Sequence, residues 1–287
     1  CSLVVHASAA NEEPGTKNQE QPTEPFRPEA GKFPPLEKAH SYQGELVFVD
    51  HANRRGSIRV TSGGIFRFTA PHPFALLPYA AVRYHGAPAD LRDIPLGTML
   101  HVRAFLPPDP KTSAVPVLPV NSREKTKAGN LGTAPAENHV LLLEDEPSHC
   151  MREGLVWKLK ELAIKNREGT ILASREAKKD ANTKPSDETL TFDAATRIWR
   201  GRECLRIEHL VADGIWPAEG KKALGGQAVQ FGSTWRPTPG GVFGRFHLSD
   251  IWLDDDAMQN AVQHQTELHK AFTRGRWLPA WIDAVEY

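Results

Sequence analysis

Asn53-Arg54-Arg55-Gly56-Ser57-Ile58 and Asn166-Arg167-Glu168-Gly169-Thr170-Ile171 are two copies of one pattern, Asn-Arg-x-Gly-Ser/Thr-Ile. Each copy follows an apolar run, Leu46-Val47-Phe48-Val49 in one case and residues 159–164 in the other, and each precedes another apolar stretch. Asn and Gly both tolerate positive φ, so a short polar segment holding them between apolar runs reads as a hairpin turn. Two such hairpins predict a β-domain that has been duplicated.

Working outward from the first copy, residues 45–50 and 57–61 are the hairpin strands. Gly63-Gly64 breaks the second, and Ile65-Phe66-Arg67-Phe68-Thr69 alternates as a third strand. Residues 80–85 alternate again, and a turn at 93–98 leads into a strand over 99–106. Residues 107–137, rich in Pro, Lys, Ser and Gly without periodicity, read as a long loop, and 139–144 resume as a strand. Glu153, Val156, Trp157, Lys160 and Glu161 fit either a short helix or the lead-in to the next strand.

The second copy is followed by the same order of elements. Leu190-Thr191-Phe192-Asp193-Ala194 parallels Phe66-Arg67-Phe68-Thr69-Ala70, and residues 204–209 parallel 81–85. Ile215-Trp216-Pro217 parallels Asp93-Ile94-Pro95, residues 227–231 parallel 101–105, and a last strand over 243–253 matches 140–143. Asp254-Asp255-Asp256 then starts a helix, since acidic side chains stabilise a helix N-terminus. Its apolar face is expected to hold Ala257, Ala261, His264, Leu268 and Phe272.

The expected organisation is a signal-peptide remnant at 1–9, a spacer at 10–42, a first β-barrel unit at 43–154 with its long loop at 107–137, a second at 155–255, and at 256–287 a C-terminal helix, closed by Arg274-Gly275, followed by residues that resemble the start of a further unit. Five short strands per unit, with a variable insertion and a glycine turn before the fourth, resemble the OB-fold barrel. The chain also resembles tandem OB-fold-like exported bacterial proteins of uncharacterised family. The fold expectation is mainly β: two duplicated OB-like barrels with a C-terminal α-helix.

The chain has 287 residues, 35 basic and 35 acidic, for a net charge of zero. That balance argues against a protein held to nucleic acid mainly by phosphate neutralisation. No apolar run approaches the roughly 18 residues that span a bilayer. Ala7-Ser8-Ala9 fits a signal-peptidase site after the apolar Leu3-Val4-Val5, so export to the periplasm or beyond is expected. A lipid anchor on Cys1 is the alternative. Export permits a disulfide between Cys150 and Cys204; two buried thiols fit equally well.

No fingerprint of catalysis, metal or cofactor binding occurs. By analogy with OB-fold surfaces, which bind chains on their second and third strands, Arg54, Arg55, Arg59, Arg67, Arg167 and Trp199 are the candidate ligand-binding residues. For each, turn solubility or core packing explains its presence as well. The expected function is therefore an exported, non-catalytic binding or scaffold protein, partnered by a polysaccharide or protein of the cell envelope. The alternatives are an envelope hydrolase with its site between the units and, on fold analogy alone, a single-stranded nucleic-acid binder.

Overall fold

The computed structural model describes residues 29, 32, 34–60, 71–105, 138–177, 186–237 and 244–275. The first unit contains β1 (His40–Asp50), β2 (Arg55–Val60), β3 (His72–Tyr84), β4 (Ala87–Pro88), β5 (Met99–Phe105) and β6 (Asn138–Asp145). β1 pairs antiparallel with β2, β2 with β3, β5 with β6 and β1 with β5, while β3 runs parallel to β6. That circuit closes a five-stranded barrel. After α1 (Glu146–Glu153), the second unit contains β7 (Leu155–Lys165), β8 (Glu168–Ala177), β9 (Ser186–Phe192), β10 (Arg197–Arg200), β11 (Glu203–Leu205), α2 (Ile207–Ala212), β12 (Gly220–Ala223), β13 (Ala228–Pro237) and β14 (Gly244–Trp252). The circuit β7–β8–β9–β14–β13 repeats the topology, again with its third and fifth strands parallel. The fold is mainly β, two barrels of OB-like strand order with a C-terminal helix, α3 (Asp255–Thr273).

The repeated hexapeptide has a packing cause. Gly56 lies opposite Phe74, and Gly169 opposite Phe192. A Cβ on Gly56 would sit 2.6 Å from the tip of the Phe74 ring, and one on Gly169 would sit 2.5 Å from the tip of Phe192. Both phenylalanines are fully buried, so the missing side chain is the space the ring fills. The turns themselves differ. Asp50 pairs with Arg55 across a four-residue turn in which Arg54 takes φ 53°. Lys165 pairs with Glu168 across only Asn166 and Arg167, at φ 53° and 63°, the positive-φ pair of a type I′ hairpin.

A second repeated irregularity aligns the units. Leu141 is bulged out where β6 passes Arg103 and Ala104, and Ser249 where β14 passes Gly232 and Ser233. Val140 therefore corresponds to Leu248, and His101 to Gln230 rather than to Gln227. Several expectations change. The third strand is β3, through Pro73 and Pro78, and Phe74 is the counterpart of Phe192; residues 61–70, including Phe66, Arg67 and Phe68, lie outside the described residues. Pro78 is tolerated because β3 slips register against β6 between Leu76 and Ala81. The helix between the units starts earlier than expected, at Glu146, capped by Asp145 with Pro147 in its first turn, and 155–165 is wholly strand. Cys204 and His209 are on β11 and α2, not on one strand.

Apolar side chains fill both barrels: Leu46, Ile58, Phe74 and Val102 in the first, Leu162, Ile171, Phe192 and Phe231 in the second. α2 closes one end of the second barrel with Ile207 and Leu210, and Trp216 packs 5.5 Å from Phe192. α3 is capped by Asp254, which accepts from the Ala257 amide at 2.7 Å. It then crosses back to the first barrel. There Gln265 reaches Asp93 at 3.2 Å, and the Arg92 guanidinium lies over the Phe272 ring. The buried face is Ala257, Met258 and Gln265, with Leu268 and His264 exposed. The helix follows a neighbouring barrel rather than one core, which shifts its buried face from the one expected.

Candidate functional site

A groove of about 780 Å³ opens on the second barrel. It is lined by Lys165 and Asn166 from the β7–β8 turn, Thr191 and Asp193 from the end of β9, Lys221 from β12, Arg236 from β13 and His247 from β14. The tight I′ turn brings Lys165 and Asn166 to its rim. Asp193 leaves β9 in a turn closed by its own carboxylate, which accepts from the Ala195 amide at 2.9 Å, while its backbone amide donates to Thr196 Oγ1 at 3.1 Å.

Polar groups converge along the groove. Arg236 donates to Asp193. The other Asp193 oxygen lies 3.6 Å from His247 Nε2, and His247 Nδ1 lies 2.9 Å from Thr191 Oγ1. Burial pushes the Asp193 carboxyl up, but Arg236, the Ala195 amide and His247 outweigh it and hold the group below the usual carboxylate range. Burial, with Arg236 acting in the same sense, lowers the pKa of His247 and favours the neutral imidazole. Among the described residues the side chains of Lys165 and Asn166 have no hydrogen-bond partner, so the groove offers free donors and acceptors beside an internally satisfied chain. Among the described lining residues, Phe192 is fully buried and presents no stacking face.

A second polar cluster lies where the barrels meet. Glu146, on α1, receives Trp157 Nε1 at 2.9 Å, Arg175 at 3.2 Å and the Cys150 thiol at 3.3 Å, and its other oxygen lies 2.6 Å from His101 Nε2. Burial opposes its ionisation, yet His101 and Arg175 hold its pKa down at about 2. Burial pushes its neighbour Asp145 up to about 7, although Ser148 and the His85 amide both donate to it. The space beside Glu146 measures about 20 Å³, enough for about one water molecule. This cluster joins the units: His101 belongs to the first barrel, and Trp157 and Arg175 to the second.

The candidates taken from the sequence do not form one site. Arg54 donates to the Pro78 carbonyl at 3.2 Å, Arg59 faces Glu45 at 3.4 Å, and Arg55 is half-buried on β2. Arg167 pairs with Glu208 at 3.0 Å, and Trp199 donates to the buried Asp250 at 2.9 Å beneath α3. Arg67 and Cys1 lie outside the described residues. Cys150 and Cys204 are both free thiols, Cys150 buried and Cys204 exposed. Among the described residues no group of acidic, His and Cys side chains has metal-binding geometry, and no helix is long and apolar enough to cross a membrane. Thr191, Asp193, Arg236 and His247 were missed because they come from three strands; the Asp193-Ala194-Ala195-Thr196 turn is the one local signal among them. Comparison with family models, with curated proteins and with solved structures finds no match.

Proposed function

We propose that the chain is an exported binding protein of the cell envelope whose ligand, a hydroxyl-rich polysaccharide chain, lies in the groove of the second barrel. One observation carries the reading: a groove of about 780 Å³ sits at the first-to-second-strand turn and on the third strand of an OB-like barrel, where such barrels take their ligands. Its volume is within the roughly 300–1,000 Å³ of ligand sites. The lining mixes Lys165, Lys221 and Arg236 with Glu168, Asp193 and Asn166, so donors and acceptors are both available and neither charge dominates. That suits a neutral, many-hydroxyl ligand better than a polyphosphate. Among the described lining residues no exposed Phe, Tyr or Trp is present to support base stacking, the usual means of gripping a single nucleic-acid strand. Export rests on Ala7-Ser8-Ala9 and its apolar lead-in.

The test is calorimetric titration of the full chain with short neutral oligosaccharides, repeated with Lys165→Ala and Asn166→Gly, the latter because residue 166 holds φ 53°. Neither side chain supports the fold through a hydrogen bond, so a loss of affinity of roughly 10-fold per variant, with unchanged melting temperature, is the expected result. Binding that both variants leave untouched would remove the groove from the account.

A further inference from the structure

The polar chain in the groove has the order of an activated nucleophile. Asp193 is kept ionised by Arg236 and the Ala195 amide, and its carboxylate faces His247 Nε2 at 3.6 Å. A carboxylate on that side favours the tautomer with its proton on Nε2 and leaves Nδ1 with a lone pair. Thr191 Oγ1 stands 2.9 Å from Nδ1, so the hydroxyl is the donor. The Phe246 carbonyl, at 3.2 Å, is the more distant of the two acceptors that hydroxyl has. Burial and Arg236 together keep His247 neutral, as a base must be before it takes a proton. Arg236 spends one amino group on Asp193, and its other N–H groups remain donors in the same groove. At the equivalent position of the first barrel, His139 of β6 faces Ala75, which has no hydroxyl.

We propose that this groove is an acyl-ester hydrolase site, with Thr191 as nucleophile, His247 as its base and Asp193 as a positioning residue, acting on O-acyl esters of the hydroxyl-rich chain proposed above. The ligand class rests on that reading, whereas the chemistry rests on the side-chain geometry alone. Thr191 Oγ1 attacks the ester carbonyl as its proton passes to His247 Nδ1. The carbon–oxygen bond to the sugar breaks, and His247 returns the proton to the departing oxygen. The Thr191 ester that remains is cleaved by water, which gives one proton to His247 and the hydroxyl to the acid product; the proton then goes back to Thr191. Arg236 supplies donors to the oxyanion in both steps.

The experiment treats the full chain with p-nitrophenyl acetate and follows p-nitrophenolate release together with peptide mapping of the acetyl group. The expected result is a burst and an acetyl group on Thr191. Thr191→Val abolishes both, Thr191→Ser restores turnover, and His247→Gln lowers the rate about 100-fold or more, all with unchanged melting temperature. Asp193→Asn retains acetylation at Thr191 but moves the pH profile of turnover, because Arg236, Glu168 and Thr191 are then the groups left to set the titration of His247. Acetylation confined to lysines, or full activity in Thr191→Val, overturns the proposal. Oligosaccharide titration of the same proteins separates the two readings. Binding without Thr191 acetylation leaves the groove a binding site only, and acetylation without binding keeps the chemistry and removes the polysaccharide.

Discussion

The two barrels share a topology and differ at the seam where third and fifth strands meet. In the first, β3 pairs with β6 over Phe74–Leu76 and again over Ala81–Arg83. In the second, β9 meets β14 at a single pair, Thr191 with His247, and the lower part of β14 is taken by β10 instead. The first seam is closed by backbone ladder and apolar packing. At the one point where the second seam is closed, the two side chains are polar and open to the groove. The two halves are therefore unequal: the first seam is laddered along two stretches, and the second keeps a polar gap between its third and fifth strands.

The largest expected effect tests how the halves are joined. Glu146→Ala strips a buried carboxylate from Arg175, His101 and the Trp157 indole at once, leaving cationic and polar groups without a partner. A loss of about 3–5 kcal/mol is predicted by chemical denaturation. If the barrels were joined mainly through α3, that loss would be small and Gln265→Ala would be the costlier change.

The glycine–phenylalanine pairs sharpen the comparison within the barrels. Gly56→Ala and Gly169→Ala each push a methyl group into a buried phenylalanine ring and the backbone carbonyl of the facing strand. Each is predicted to cost about 1–3 kcal/mol. Equal costs support a common packing cause for the repeated hexapeptide. A cost in one barrel alone would make the repeat a property of its turns.

Titration separates two neighbouring carboxyls of opposite tendency. Asp145 has a folded pKa raised from 3.8 to about 7, so its contribution is fully present below 3.8 and is lost as pH rises through 7. Glu146 is lowered from 4.5 to about 2, so its contribution is present above 4.5 and is lost as pH falls toward 2. His72, His85, His139 and His247, whose pKa values burial lowers, act in the opposite sense over the same range, so the Asp145 contribution is read as a difference. The stability of the wild type relative to Asp145→Asn is predicted to grow as pH falls from 8 toward 5, and a difference that does not change with pH would place the titration elsewhere.

The smallest effect concerns the turns. Arg54 and Arg167 both hold positive φ, which glycine adopts without strain. Arg54→Gly and Arg167→Gly are each predicted to stabilise by up to about 1 kcal/mol, read from the shift in denaturation midpoint. The exposed Arg167–Glu208 pair offsets little of this.

The duplication was legible because its cause is local. A glycine beneath a phenylalanine and an Asn-Arg turn recur as sequence, whatever the rest of the barrel does. The third strand of the first unit was not legible, since Pro73 and Pro78 read as breaks and only the slip against β6 makes room for them. The helix between the units was readable from Asp145 and Pro147, but three successive acidic residues look like solvated surface until Arg152, His101 and Arg175 are brought to them from elsewhere. The groove was hidden for the same reason. Its arginine, histidine, aspartate and threonine are brought together by strand pairing between residues far apart in the chain, and no periodicity encodes that. The arginines chosen from the turns were conspicuous in sequence because turns expose them, and exposure is not convergence.

The most direct test of the account is chemical-shift mapping of the full chain during titration with short neutral oligosaccharides. The account predicts shifts confined to the second barrel, centred on Lys165, Asn166, Thr191, Arg236 and His247, with the first barrel silent. Shifts on the first barrel or at the α1 junction, with those five residues unmoved, would contradict it.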